Sequence, residues 1–332
     1  MNGTILTGDA LDMLRTLPDK SVHCCVTSPP YWGLRDYGIA GQIGLEVSPS
    51  AYAAALVPVF EEVRRVLRDD GTLWLNLGDS YIGYHGNKNA SGPAPSDKPG
   101  YRENMRLTSV GADGLGNKNL VGIPWRMAFA LQDAGWILRS DIIWHKPNPM
   151  PESVKDHPTR AHEYLFLLSK SQRYYYDTEA VREPAAGFMA HEPGGSRYSF
   201  RRAHSKRAQG PANHTQGTHR PNRDDTRYCG PTRTRRSVWT IPTRPFPEAH
   251  FATFPPDLIR PCILAGCPAG GIVLDPFFGS GTVGQVCVEE GRKLIGIEIN
   301  PEYVAMAERR VAAARPRGPQ QVSFWDAVEA MA

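Results

Sequence analysis

The chain has 332 residues and a formal net charge of +4, and 41% of its residues are hydrophobic and 22% are charged. This composition is typical of a globular enzyme, and the length fits one large domain with an embedded smaller module. No window approaches about 18 uninterrupted apolar residues, and the first residues lack the basic and apolar regions of a signal peptide, which argues against membrane spanning and secretion.

The six cysteines form no C-x-x-C pair, and five of them lie in apolar surroundings. Cysteine behaves there as a small hydrophobic residue. The cysteine spacing also fits no standard zinc site. We therefore expect a reduced, cytoplasmic protein that holds no metal.

The first part of the chain alternates between strand and helix patterns. Apolar runs at 3–9, 21–28 and 71–81 predict strands, and the segments 10–19 and 50–71 between them predict helices. Alternation of this kind is typical of a parallel sheet that is covered by helices on both faces. The predicted fold class is therefore α/β, with a doubly wound and mostly parallel sheet.

Regular patterns stop in a long loop at about 82–118, which is rich in Gly, Asn, Pro, Ser and Lys. A loop of this length is either functional or a flexible surface excursion. A helix is predicted at 121–136, and two further strands are predicted at 137–149 and 162–171.

A basic segment at 197–236 contains eleven Lys or Arg residues and two acidic residues. Arginine pairs with phosphates and with guanine edges, so this segment predicts contact with nucleic acid. A disordered basic linker is the alternative, because few bulky apolar residues here could build a core, and both interpretations hold if the segment orders only on DNA. The predicted DNA-binding residues are Arg201, Arg202, Lys206, Arg207, Arg233, Arg235 and Arg236.

A glycine-rich turn with the sequence VLDPFFGSGT joins a strand to a helix at 273–282. Gly279 and Gly281 allow positive φ angles and let a ligand approach the main chain. Glu298 ends the next strand, at the position where an acid holds a ribose diol in a doubly wound sheet. Asp275 would repel a pyrophosphate and suits a cationic sulfonium, so the charge favours S-adenosylmethionine over NAD.

The sequence TSPPY directly follows the second predicted strand. Two prolines lack N–H groups and end the strand, which leaves carbonyl oxygens for another partner. Ser28 and the Pro29 carbonyl are suited to accept both hydrogens of an exocyclic base amine, which frees the nitrogen lone pair to attack a methyl group. Tyr31 would stack on the base, which must leave a duplex to reach such a pocket. His145 and Lys146 are expected to orient strand ends or to contact phosphate.

TSPPY and DPFFGSGT together resemble the amino-group DNA methyltransferases, in the permuted (beta-type) order in which the catalytic motif comes first. Three more segments are similar to that family: TGDALDMLRTLPDKSV to its opening segment, DIIWHKPNPMPESV with HEYLFLLSKS to its late catalytic strands, and HFATFPPDLI to the segment beside the cofactor methionine. The resemblance covers most of the chain, and it implies a Rossmann-like methyltransferase fold with circularly permuted motif order.

The resemblance also implies roles for single residues. The catalytic residues would be Ser28, Pro29, Pro30 and Tyr31. Asp9 would contact the cofactor adenine and Glu298 the ribose. The methionine end would be lined by Asp275, Pro276, Phe277, Gly279, Gly281 and Thr282, and Asn300 would also bind the cofactor.

In this interpretation, 1–181 and 238–332 are the catalytic and cofactor-binding parts of one domain, and 182–237 is an inserted basic target-recognition region. The resemblance implies site-specific transfer of a methyl group from S-adenosylmethionine to the N4 amine of cytosine in double-stranded DNA after base flipping, because serine in the first motif position is commoner in cytosine-N4 enzymes. A cognate restriction endonuclease acting on the same site is an expected partner. The alternatives are adenine N6, RNA or protein glutamine as the substrate, and a DNA-binding relative without catalysis.

Overall fold

The computed structural model describes residues 3–33, 39, 41–82, 113–184, 232–244 and 253–317. Contacts between residues divide the chain into two units. The larger unit comprises residues 1–181 and 235–319, and the smaller one comprises residues 182–234 and 320–332. The four predicted DNA-binding residues between 201 and 207 lie outside the described residues.

The described part of the chain contains ten strands and six α-helices. The strands are β1 (Gly3–Thr7), β2 (Val22–Thr27), β3 (Leu67–Leu77), β4 (Ile137–His145), β5 (His162–Ser169), β6 (Glu183–Pro184), β7 (Thr232–Arg233), β8 (Val238–Thr240), β9 (Ile272–Asp275) and β10 (Lys293–Glu298). The helices are α1 (Ala10–Arg15), α2 (Pro49–Val66), α3 (Ile123–Asp133), α4 (Pro256–Gly266), α5 (Thr282–Glu289) and α6 (Pro301–Ala313). Strands β6 and β7 form an antiparallel ribbon in the smaller unit.

The other eight strands form one sheet in the order β1-β10-β9-β2-β3-β5-β4-β8. Strands β1, β10, β9, β2 and β3 run parallel to one another. Strand β5 is antiparallel to β3 and β4, and β8 is parallel to β4. The predicted doubly wound, mostly parallel α/β fold is confirmed.

Successive residues of the central strands face opposite sides of the sheet, as the period of a strand requires. Cys25 and Leu73 belong to a core with α1, α2 and α3, whereas Cys24 and Trp74 belong to a second core with α4 and α5. Helices therefore cover both faces, and the central strands are buried on both sides.

Helix α2 shows how the sequence defines one of these covering helices. Ser48 caps its N-terminus by accepting a hydrogen bond from the Ala51 N–H, and Pro49 occupies the first turn, where proline is favoured. Its buried side chains recur at helical spacing and face the first core: Tyr52, Leu56, Val59, Phe60, Val63 and Val66.

The predicted end of this helix was wrong. The amphipathic pattern extends to residue 71, but the helix ends at Val66 and Leu67 begins β3. The β2–β3 ladder pairs Val22 with Leu67 and then Cys24 with Thr72, so the intervening residues of β3 form an irregular bulge. Strand pairing therefore overrides the local helical pattern there.

The ends of the predicted loop at 82–118 meet beside the sheet. The Ile82 N–H donates to the Asn119 carbonyl, and the Lys118 N–H donates to the Ile82 carbonyl, each over 2.9 Å. The interior of this loop lies outside the described residues. Within the part of the chain that the structure describes, no helix is long and apolar enough to cross a membrane.

Candidate active site

Two neighbouring parallel strands bring the serine motif and the glycine loop to the same edge of the sheet. Cys24 pairs with Val273 and Cys25 with Leu274 in the β2–β9 ladder. The segments that follow these strands both line one cavity of about 600 Å³. This is the edge at which ligands bind in doubly wound sheets.

Eleven of the predicted catalytic and cofactor-binding residues line this cavity: Asp9, Ser28, Pro29, Pro30, Tyr31, Pro276, Phe277, Gly279, Thr282, Glu298 and Asn300. The remaining two, Asp275 and Gly281, are not among its lining residues. Thr253 and Phe254, from the segment expected beside the cofactor methionine, also line it.

Two hydrogen bonds connect the end of the serine motif to neighbouring segments of the chain. The Tyr52 hydroxyl of α2 donates to the Pro30 carbonyl over 2.8 Å. The Trp32 indole N–H donates to the Glu46 carbonyl over 2.9 Å. These bonds fix Pro30 and Trp32, and with them the end of the serine motif, beside the cavity.

Tyr31 is held through its hydroxyl and along one edge of its ring. Its hydroxyl donates to Glu163 over 2.7 Å. A side chain at Gly78 would collide with the ring, because a Cβ there would lie 2.6 Å from Tyr31 Cε2. Burial and the nearby Glu163 charge raise the pKa of Tyr31, so the phenol remains a neutral hydrogen-bond donor.

Glu163 connects Tyr31 to a lysine in the same cavity. One carboxylate oxygen accepts the Tyr31 hydroxyl, and the other pairs with Lys146. The Lys146 and Glu163 side chains are only 18% and 15% exposed. The Lys146 ammonium also lies 4.3 Å from the centroid of the Trp144 ring. The ammonium is therefore held by a carboxylate and an aromatic face.

Glu298 ties the glycine loop to β10. One carboxylate oxygen accepts the Gly279 N–H over 2.7 Å, and the other accepts the Asn300 N–H over 2.8 Å. Burial raises the pKa of Glu298, although these backbone N–H groups partly offset the rise. The carboxylate therefore lines the cavity and also fixes the loop beside it.

The two loop glycines are needed for different reasons. Gly279 has φ of 50°, and an added Cβ would meet only the Phe277 carbonyl oxygen at 4.0 Å, so its backbone is open to the cavity. Gly281 has φ of 81°, and a Cβ there would lie 2.9 Å from the Ala307 Cα in α6. Gly281 therefore allows α5 and α6 to pack closely rather than contacting a ligand.

Arg310 of α6 holds the glycine loop from outside the cavity. Its guanidinium donates to the Thr282 hydroxyl over 2.8 Å and to the Ser280 hydroxyl over 3.0 Å. These bonds connect the loop to α6 and limit its movement.

The Asp275 side chain connects the residue before the serine motif to the glycine loop. It is 1% exposed, and one of its carboxylate oxygens accepts the Thr27 hydroxyl over 2.6 Å and the Phe277 N–H over 3.1 Å. Burial raises the pKa of Asp275 to about 7. The side chain of this last β9 residue is thus directed toward the neighbouring strand, and its expected role at the methionine end of the cofactor stays a prediction.

The cavity residues fit S-adenosylmethionine. Asp9 and Glu298 supply carboxylates, Ile299 and Tyr303 supply apolar surface, and Gly279 exposes backbone. Asp9 also caps α1 by accepting the Leu11 and Asp12 N–H groups. Carboxylates suit ribose hydroxyls and a cationic sulfonium, and they would repel a ligand that carries phosphates at this place.

The described arginines of the basic segment already have protein partners. Arg233 pairs with Glu183 over 2.8 Å in the smaller unit. In the larger unit, the Arg235 guanidinium lies 4.5 Å from the centroid of the Trp239 ring, and the Arg236 carbonyl accepts the Trp239 indole N–H. These contacts position the guanidinium groups of Arg233 and Arg235 and the backbone of Arg236.

Glu163, Asn76 and Arg310 were not predicted from the sequence as site residues. The Asn76 side-chain oxygen lies 3.3 Å from the Tyr31 hydroxyl, and its amide nitrogen donates to the Tyr164 carbonyl over 3.1 Å. Asn76 interrupts an apolar run in β3, and Glu163 lies just before an apolar run in β5. A polar residue beside such a run is the one sequence signal that could have identified them.

The family model for N6 and N4 methyltransferases, described as DNA methylase, matches residues 22–309. The Type II methyltransferase M.XycI of Xanthomonas campestris pv. cyanopsidis is 51% identical over 308 residues, which cover 93% of this chain and 87% of that protein.

Two solved structures share the fold. The PvuII DNA methyltransferase (cytosine-N4-specific) has a TM-score of 0.61 at 19% identity, covering 100% of this chain and 91% of that one. A DNA modification methylase of Thermus thermophilus, TTHA0409, was solved with S-adenosyl-L-methionine and has a TM-score of 0.55 at 22% identity, covering 94% and 95%.

Proposed function

Because the chain belongs to the N6/N4 family of DNA methylases, we propose that it methylates the exocyclic N4 amine of cytosine in double-stranded DNA. It is a DNA methyltransferase whose cofactor is S-adenosylmethionine. That cofactor supplies a methyl group on a sulfonium centre. In the proposal, Asp9 contacts the adenine, Glu298 holds the ribose, and Pro276, Phe277, Gly279 and Thr282 line the methionine end.

One observation carries the proposal: the Ser28–Tyr31 segment and the Phe277–Ser280 segment line the same cavity. A base amine held at the first segment therefore lies in the same cavity as a methyl donor held at the second. Positioning of this kind converts an encounter of two ligands into a reaction within one complex.

The amine nitrogen needs activation, because its lone pair is delocalised into the base. The Ser28 hydroxyl and the Pro29 carbonyl accept the two amine hydrogens in this proposal, so that the nitrogen can become pyramidal. Such bonds strengthen as positive charge develops on the nitrogen, and they therefore favour the transition state over the ground state. Tyr31 contributes an aromatic wall whose orientation is fixed by Glu163.

Serine at position 28 favours cytosine N4 over adenine N6, as the family resemblance implies. The curated relative M.XycI is a Type II methyltransferase. We therefore propose that this chain belongs to a restriction-modification pair, with an endonuclease that cleaves the same site. A target inside a duplex must be flipped into the cavity, which costs a few kcal/mol of stacking and pairing.

Product analysis tests the proposed function. Unmodified genomic DNA is incubated with the protein and cofactor, digested to nucleosides and analysed by mass spectrometry, with a parallel incubation on RNA. N4-methylcytosine from DNA is expected. N6-methyladenine, methylated RNA or unmodified DNA would contradict the proposal.

A further inference from the structure

Lys146 lines the cavity but has no role in the function proposed for the serine motif and the glycine loop. It lies on the chain directly after β4 and lines the same cavity as Ser28 and Tyr31. Its ammonium pairs with Glu163, and Glu163 in turn accepts the Tyr31 hydroxyl. The lysine is thus connected to the serine motif through a single carboxylate.

A largely buried ion pair in a ligand cavity needs a reason, because removing two charges from water costs free energy that their attraction only partly returns. The Lys146 ammonium has three N–H donors. Glu163 takes one, and the face of Trp144 supports the charge from another side. This arrangement fixes the ammonium and leaves donor capacity for a molecule that enters the cavity.

Cytosine and adenine differ at the place where such a cation matters. Beside its amine, cytosine has two acceptors, the ring N3 and the carbonyl O2, whereas adenine has the ring N1 and then a C–H group. A flipped base is recognised by hydrogen bonds to this edge. An ammonium N–H that meets O2 gains a charge-assisted hydrogen bond, and the same N–H that meets C–H is desolvated and has no acceptor.

We propose that Lys146 donates a hydrogen bond to the O2 carbonyl of the flipped cytosine, and that Glu163 and Trp144 hold it in place for this purpose. Lys146 is then a specificity-determining residue that selects cytosine over adenine. This inference rests on the proposed function. It replaces the expectation from the sequence that Lys146 orients a strand end or contacts phosphate.

The test pairs a change in the protein with a change in one base atom. In a duplex that carries the protein's own methylation site, the target cytosine is replaced by 2-thiocytosine, whose sulfur is a much weaker acceptor than oxygen. The wild-type protein is expected to lose about tenfold to a hundredfold in kcat/KM on the thio base. Lys146→Met, which keeps the apolar contact with Trp144, is expected to methylate both duplexes at nearly equal rates.

Three further variants separate this role from others. Lys155→Met removes one exposed charge from the same β4–β5 connection and should keep the full thio penalty. Lys146→Arg keeps a cationic donor and should keep part of it. Lys146→Met combined with Glu163→Gln removes the charge that Lys146→Met leaves unpaired, and provides the measurement if the single variant does not fold.

Three outcomes would overturn the inference. An equal thio penalty in the wild type and Lys146→Met would mean that the lysine does not meet O2. A salt dependence of DNA binding that flattens by about one unit in Lys146→Met, but not in Lys155→Met, would identify a phosphate contact instead. If the wild-type product were N6-methyladenine, both proposals would fail, whereas N4-methylcytosine with an equal thio penalty would overturn this inference alone.

Discussion

At the scale of single residues, the Ser28 hydroxyl follows the carboxyl end of β2, in the wall of the cavity. A hydrogen bond from the base amine to this oxygen gains strength only as the nitrogen pyramidalises and acquires charge. Its loss should therefore slow the chemical step and leave the binding of the cofactor intact.

Ser28→Ala is expected to lower kcat by about 100-fold, the usual cost of one hydrogen bond that forms fully in the transition state. Its affinity for S-adenosylmethionine should stay within about twofold of the wild type. Single-turnover kinetics and titration calorimetry measure the two quantities. Ser21→Ala, which changes a serine at the other end of β2, should alter neither. Equal losses of rate and cofactor affinity in Ser28→Ala would count against the role of this hydroxyl.

Asp275 links protonation to stability. Burial raises its pKa from 3.8 to about 7, so over this pH range the folded protein holds a proton that the unfolded chain has released. Because the folded state binds more protons, the free energy of unfolding falls as the pH rises through this window, and it changes little above it.

Asp275→Asn should remove this part of the pH dependence, because the amide oxygen still accepts from Thr27 and Phe277 but does not titrate. The free energy of unfolding of the variant, relative to the wild type, should rise by about 2 kcal/mol between pH 5 and pH 7.5. Urea unfolding at both pH values measures this difference. Glu298 titrates in both proteins, so its contribution cancels from the difference in unfolding free energy between them. If the unfolding free energies of the two proteins changed with pH in parallel, the raised pKa of Asp275 would be refuted.

The sequence revealed the site residues that lie close together along the chain. Ser28 to Tyr31 and Gly279 to Thr282 form short motifs whose chemistry is local, and the structure brings both motifs to one cavity. It did not reveal Glu163 or Arg310, because their partners lie 132 residues away at Tyr31 and 28 residues away at Thr282. Contacts of that kind depend on strand order and helix packing, which local patterns do not specify.

At the scale of elements, the turn between β9 and α5 depends on close approach to α6. Gly281 combines a left-handed backbone with a space that the Ala307 backbone closes. Gly291, after the end of α5, has φ of 66° but open space around the position of a Cβ. Substitutions at both glycines introduce backbone strain, but only a substitution at Gly281 also introduces steric overlap. Comparing the two positions therefore distinguishes the two effects.

Gly281→Ala is expected to destabilise the protein by more than Gly291→Ala. Both variants place an L-residue in the left-handed region, which costs about 1–2 kcal/mol. Gly281→Ala must in addition push α6 away from the loop, and overpacking of this kind typically adds about 1–3 kcal/mol. Urea unfolding measures both. Equal losses would show that α6 moves without cost.

Element boundaries were predicted less well than element types. The strand at 3–9 and the helix at 121–136 appear as β1 and α3 with shorter ends. The helix predicted to continue past Val66 ends there because Leu67 pairs with Val22 in the sheet. Helix α4 was not predicted. It contains Pro261 in its interior, and a proline at that position argues against a helix.

At the scale of the whole molecule, the proposal requires that the chain hold a duplex while one base enters the cavity. We propose that the inserted region at 182–237 supplies this contact, since eleven Lys or Arg residues lie between 197 and 236. Of the described arginines, Arg233 pairs with Glu183 and Arg235 lies over Trp239. Such contacts orient guanidinium groups, and a planar guanidinium can still pair with phosphate through its remaining N–H groups.

Replacing Arg233, Arg235 and Arg236 together by glutamine should weaken DNA binding and reduce its dependence on salt. Each lost phosphate contact lowers the slope of log Kd against log salt by about 0.9, so the slope should fall by as much as about 3. Fluorescence anisotropy with a labelled duplex at several salt concentrations measures it.

The matched control removes the same net charge at three other exposed arginines, Arg15, Arg68 and Arg315, of which the first two are 61% and 48% exposed. The control should change the slope little, because screening at physiological salt limits distant charges to a range of about 8 Å. If both triple variants flatten the slope equally, total charge attracts the duplex and the region at 182–237 has no special place in binding. If neither does, the three arginines do not contact phosphate.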